Sequence, residues 1–171
     1  MAEVALAEGS LLFEFTDVKF ATKYDDWSHY RNKFNSACGS SKAVDFIVSK
    51  NSELWLIEVK DYRRYFRTKP SDLADEVMFK VRDTMAGLVS TKFVGADLDE
   101  VKRSTGALSQ KKLRVILHIE QPAKPSRLFP RSVDPANLLW KMKQKLKFAD
   151  AHPIVVDSHQ FPARLGRVSS I

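Results

Sequence analysis

Two apolar runs separated only by Asn51-Ser52 constrain this chain more than any other feature. Ala43–Lys50 and Glu53–Asp61 are rich in Val, Ile, Leu, Phe and Trp. Runs of that length joined by a two-residue polar break are a β-hairpin signal, although Asn-Ser is weaker than Asn-Gly. A two-residue loop also fixes the register. Lys50 then lies opposite Glu53, and residues whose numbers sum to 103 face each other. Asp45 therefore stands opposite Glu58, roughly 5 Å away at Cβ. Side chains alternate along a strand, so Glu58 and Lys60 share a face with Leu54 and Leu56, while Trp55, Ile57 and Val59 point the other way. A symmetric four-residue loop would keep this pairing, and a bulge would break it.

Around the hairpin the pattern alternates between strand and helix. Leu11–Thr16 reads as a first strand. Trp27, Tyr30 and Phe34 recur at helical spacing and predict an amphipathic helix over 24–35. Pro70 and Ser71 open a long helix with Ser71 as N-cap, acids in the first turn, and a buried stripe of Leu73, Val77, Val81, Met85 and Leu88. Gly95–Lys112 is polar and reads as loop with a short helical turn. Leu113–Glu120 is a strongly apolar strand, and Pro122, Pro125 and Pro130 mark a connection. Asp134-Pro135 opens another helix with the stripe Leu138, Met142 and Leu146. Ile154–Val156 is a last strand. The order β-α-β-β-α-β-α-β predicts an α/β fold with a mixed central sheet and helices on both faces. The long crossover sets Leu113–Glu120 parallel to Glu53–Asp61. At 171 residues this is one domain over 1–171, with a core near 11–121 and a C-terminal helix and strand at 134–159.

The hairpin register turns into chemistry. Two carboxylates directly opposite one another repel, and apolar strands raise the cost of holding them. A divalent cation removes that cost, and oxygen ligands with retained waters suit Mg²⁺ or Mn²⁺. Lys60 on the same face can orient a water and stabilise negative charge. The net charge is +7 and the pI about 9.5, a balance that favours polyanionic partners. Together these features fit phosphodiester hydrolysis.

Asp45, twelve intervening residues, then Glu58-Val59-Lys60 resembles the PD-(D/E)xK nuclease superfamily, which includes restriction endonucleases, repair nucleases and resolvases. The resemblance runs from Tyr24 to Glu120 and extends to element order. It implies a restriction-endonuclease-like αβββαβ core, with Asp45 and Glu58 as Mg²⁺ or Mn²⁺ ligands and Lys60 as the catalytic cation. Val44 stands where the family usually has proline. Members often add an acid from the first helix, for which Asp25 and Asp26 are the candidates and Glu14 a weaker one. They also often use the crossover helix, where Lys80 and Arg82 lie. The resemblance implies a DNA substrate, and a homodimer or a subunit of a larger complex as the working form.

The remaining features each carry two readings. Arg63, Arg64, Arg67 and Lys69 form a solvated loop or a phosphate-binding one. Tyr62, Tyr65 and Phe66 among them stack on bases or anchor the loop. His118 and Glu120 share a face and serve either the sheet or the site. The lysines of the last long helix are a solubilising face or contacts to a nucleic-acid backbone. As a whole, the chain is a nuclease or a non-catalytic nucleic-acid-binding or assembly module that keeps the fold. One cysteine, Cys38, excludes an internal disulfide, and no stretch is long and apolar enough to span a membrane, so the expected setting is cytoplasmic.

Overall fold

Asn51 and Ser52 both adopt left-handed backbone, with φ of +48° and +63°, the conformation of a type I′ hairpin turn. In this computed structural model, which describes all residues except 123 and 129, the turn joins β4 (Phe46–Lys50) to β5 (Glu53–Asp61). Lys50 pairs with Glu53 and Phe46 with Ile57, the register expected of a two-residue loop. The hairpin is the middle of a five-stranded sheet. On one side it pairs with β3 (Phe20–Lys23), antiparallel; on the other come β6 (Lys112–Glu120) and β7 (Ile154–Val156), both parallel. The crossover from β5 to β6 runs through α1 (Leu73–Val94) and α2 (Leu98–Leu108). The fold is mixed α/β.

The two faces of this sheet are covered differently. One carries Ile47, Leu54, Leu56, Val115, Leu117 and Ile119, which pack against α1, α2 and α3 (Pro135–Lys145). The other carries Phe46, Val48, Trp55, Ile57 and Ile116. It meets a second sheet in which β2 (Leu11–Val18) lies between β1 (Ala2–Glu8) and β8 (Gly166–Ser170). Leu11, Phe13 and Phe15 point from β2 into this layer. Helices therefore cover one face where two helical layers were expected. Clean alternation along β2 permits the difference, because an antiparallel sheet needs only one apolar face.

Three local elements also differ. The helical segment after β3 spans only 28–34 and ends in a π turn, Tyr30–Phe34, closed by the Asn35 N–H donating to the Tyr30 carbonyl at 2.8 Å. Tyr24, the expected helix start, and Trp27, part of the periodic signal, precede that segment and are buried core residues. The polar stretch 95–112 contains α2, capped by the Asp97 side chain, which accepts from the Asp99 and Glu100 N–H groups. That helix buries only Ser104 and Ala107 in an otherwise polar stretch. The cap of α1 is Asp72, which accepts from Ala74 N–H at 2.8 Å, while the Ser71 hydroxyl donates to Glu76.

Helix α1 seats against Tyr24 through Gly87. A Cβ there would lie 2.0 Å from the Tyr24 hydroxyl and 3.1 Å from the Phe34 ring. Tyr24 is fully buried and its ring cannot retreat freely. Alanine would gain roughly 1 kcal/mol of helix propensity but overpack this contact at a cost of about 1–3 kcal/mol. Gly87→Ala is expected to lower the urea midpoint, with the m-value unchanged; a raised midpoint would show that the ring moves aside.

Candidate functional site

Asp45 enters β4 under several constraints. Its N–H donates to the Ile57 carbonyl at 3.1 Å, and its carbonyl accepts from Tyr24 N–H at 3.0 Å. The segment before it is tied to α1: Val44 N–H donates to Thr84 Oγ1 at 3.0 Å and Lys42 N–H to Asp83 Oδ2 at 2.9 Å. Its side chain takes over where the β4–β5 ladder ends, with Oδ2 accepting from Val59 N–H at 2.6 Å. One carboxylate oxygen is thus committed to the sheet, and Oδ1 faces the helical layer.

There it meets Glu58. That residue lies between Leu56 and Lys60 on the same face of β5 and is 1% exposed. Two lysines converge on it. Lys60, two residues along the strand, donates to Glu58 Oε1. Lys80, from the middle of α1, donates to both Glu58 oxygens, at 2.7 and 2.8 Å, and its Nζ lies 3.7 Å from Asp45 Oδ1. The structure therefore brings Asp45, Glu58, Lys60 and Lys80 into one cluster. Arg82, two residues on, is turned away: it pairs with Asp83 and lies over the Phe79 ring, with its side chain largely exposed.

The electrostatics follow from burial. Burial, then the Glu58 charge, pushes the Asp45 carboxyl up to about 7, against the pull of Lys80, the Val59 N–H and Lys60. For Lys80 burial acts to lower the pKa, but the charges of Glu58 and Asp45 outweigh it and raise the ammonium's pKa. Asp25 also acts on Lys80, and burial raises the Asp25 carboxyl. Its Oδ1 is buried with no hydrogen-bond partner among the described residues. Asp26 instead pairs with Arg31 at the surface. Of the two first-helix candidates, Asp25 is the one electrically linked to the cluster. Among the described residues no group of three or more His, Cys, Asp or Glu side chains is close enough to enclose a metal ion. Two opposed carboxylates and one orphaned carboxylate oxygen nearby nonetheless suit a hard divalent cation in kind, with water or substrate supplying the other ligands.

The basic loop after Lys60 divides in two. Arg63 is structural: its guanidinium bonds Asp61 at 2.7 and 2.9 Å, Ser10 at 2.9 Å and Ser170 at 2.7 Å, tying the loop to β1–β2 and β8. Against the burial of Asp61, these hydrogen bonds hold its carboxyl down to about 2. Arg67 is structural too, bonding Glu76 at 2.6 Å, the Ser71 carbonyl at 2.5 Å and Tyr62 at 3.3 Å. Arg64 and Lys69 remain exposed, with no hydrogen bond or salt bridge among the described residues, and Tyr65 between them is 80% exposed. His118 and Glu120 bond one another at 3.0 Å. The His118 ring packs against Phe13, 4.9 Å between centroids, on the face of the sheet opposite Glu58. They take no part in the cluster. Alternation places Glu58 and Lys60 on one face, but the paired ladder ends at Phe46–Ile57 and the Asp45 N–H goes to the Ile57 carbonyl, so Asp45 reaches the cluster from one residue beyond the ladder and not as the direct partner of Glu58. Lys80 required the seating of α1, which periodicity alone does not supply.

A carboxyl whose pKa is higher in the fold than in the unfolded chain costs stability once ionised. That cost is absent below about pH 4, grows as pH rises, and levels off above about pH 7. In EDTA, Asp45→Asn is expected to gain about 4 kcal/mol relative to wild type between pH 4 and pH 8. Urea unfolding at the two pH values measures this, and a pH-independent difference would contradict the assignment.

No protein-family model and no solved structure matches the chain. It is 35% identical, over 176 aligned residues, to a cysteine–tRNA ligase of Neisseria meningitidis (serogroup A, serotype 4A, strain DSM 15465 / Z2491). The similarity covers 85% of this chain and 25% of that protein, so the chain spans about a quarter of its curated relative's length.

Proposed function

We propose that this chain is a divalent-metal-dependent nuclease of PD-(D/E)xK type that hydrolyses phosphodiester bonds, with DNA as its first candidate substrate. The observation that supports this most is the convergence of Asp45, Glu58, Lys60 and Lys80 on one buried face. A purely structural sheet has no use for two carboxylates in that position, since each costs desolvation that an apolar pair would avoid. Perturbed ionisation at such a cluster is a mark of chemistry as well as of architecture.

Asp45 and Glu58 hold Mg²⁺ or Mn²⁺ in this reading, and the ion would supply positive charge to the reacting phosphate and its water. Lys60 orients the attacking water and offsets charge that gathers on the phosphoryl oxygens. The Val59 N–H fixes one Asp45 oxygen so that the other stays directed at the site. Arg64 and Lys69 contact the sugar–phosphate backbone, and Tyr65 offers a stacking surface. The partial similarity to a tRNA ligase keeps RNA among the substrates to test. It also favours action within a larger assembly. No helix among the described residues is long and apolar enough to cross a membrane, in keeping with the proposed cytoplasmic setting.

The second reading, a non-catalytic nucleic-acid-binding module, draws on the same exposed Arg64, Tyr65 and Lys69. One experiment separates the two. Plasmid, single-stranded DNA and RNA are incubated with the full chain in Mg²⁺ or Mn²⁺. Cleavage is expected, lowered about 10²–10³-fold in Lys60→Ala and to background in Asp45→Asn. Equal activity in all three proteins would remove the site assignment. No cleavage, with retention of nucleic acid that weakens as salt rises, would establish the binding module instead.

A further inference from the structure

Lys80 is placed unlike an ordinary partner for a buried acid. Its Nζ contacts both Glu58 oxygens and lies 3.7 Å from Asp45, so it sits between the two carboxylates; Lys60 hydrogen-bonds Glu58 from along its own strand. The backbone under it is fixed, because Thr84 and Asp83 on the next turn hold the strand entry. Its ammonium is not fixed: a four-carbon stem can withdraw without moving the helix. Two carboxylates and two ammoniums also balance. A divalent ion added to that cluster leaves a buried excess of two positive charges unless a lysine leaves or a phosphate arrives.

We infer that the Lys80 ammonium is the site's resident counter-cation, filling the gap between Glu58 and Asp45, and that a divalent ion binds there only by displacing it. This rests on the two-carboxylate reading of the site. Lys80 is a positioning residue: it holds the carboxylates in place while no metal is bound, and it sets how tightly metal binds. Metal affinity is therefore weak in the protein alone and rises with a nucleic-acid phosphate, which restores the charge balance and gives the released ammonium a partner.

The test measures Mn²⁺ binding to the full chain by titration calorimetry and electron paramagnetic resonance, without nucleic acid. Lys80→Met is expected to bind Mn²⁺ at least about tenfold more tightly than wild type, because a like charge a few Å from the ion is gone. Its melting temperature should fall in EDTA and recover with Mn²⁺. Should the Met variant not fold, Lys80→Gln, also neutral but able to bond Glu58, takes its place with the same expectation. Wild-type binding with equal or weaker binding in both Lys80 variants overturns the inference and leaves the metal reading standing. No Mn²⁺ binding in any of the three proteins overturns both.

Discussion

Strand β5 is buried on both faces, and the rest of the molecule answers to that constraint. Its outward row, Trp55, Ile57 and Val59, faces the β1–β2–β8 sheet; its inward row, Leu54 and Leu56, faces the helices. A strand in that position has no wet side on which to place a charge. Glu58 is nevertheless there, 1% exposed. Everything nearby reads as compensation: a strand lysine on Glu58, a helix lysine across both carboxylates, and a neighbouring Asp45 braced by the ends of two strands and by α1. Buried ion clusters of this kind rarely improve stability over apolar residues of similar volume.

The anchoring of Asp45 shows how the fold enforces this. The residue closes the β4–β5 ladder with its backbone N–H on Ile57 and its side chain on the Val59 N–H, and α1 holds the preceding residues through Thr84 and Asp83. The helix that carries Lys80 is thereby locked to the strand that carries Asp45. Two parts of the site, 35 residues apart in sequence, are set by one packing surface. The same helix is seated through Gly87 on Tyr24, whose N–H holds the Asp45 carbonyl. Site geometry and core packing are one problem here.

The hairpin and its register were legible because a two-residue turn and period-2 alternation leave few alternatives. Lys80 was a candidate without a direction, since the rotation of α1 about its axis depends on what it packs against. Arg63 and Arg67 read equally as solvated or phosphate-binding; Asp61 is two residues from Arg63, but Ser10 in the β1–β2 turn, Ser170 in β8 and Glu76 in α1 are partners that composition does not reveal. The α2 helix was hidden because it buries few residues in a polar stretch, although the run Asp97-Leu98-Asp99-Glu100 carries a cap signal. The second sheet was hidden for a related reason. β1 is mostly exposed and β8 lies at the far end of the chain, so neither carries a local signal as strong as the hairpin's.

The central claim is that Asp45 and Glu58 form one cation site on the helical face of β5. Crystals of the full chain soaked in Mn²⁺, with anomalous diffraction recorded, test it most directly. The account predicts an anomalous peak between the two carboxylates, with the Lys80 ammonium moved away from Glu58. A Mn²⁺ peak elsewhere on the molecule, with Lys80 still bonded to both Glu58 oxygens, would contradict it.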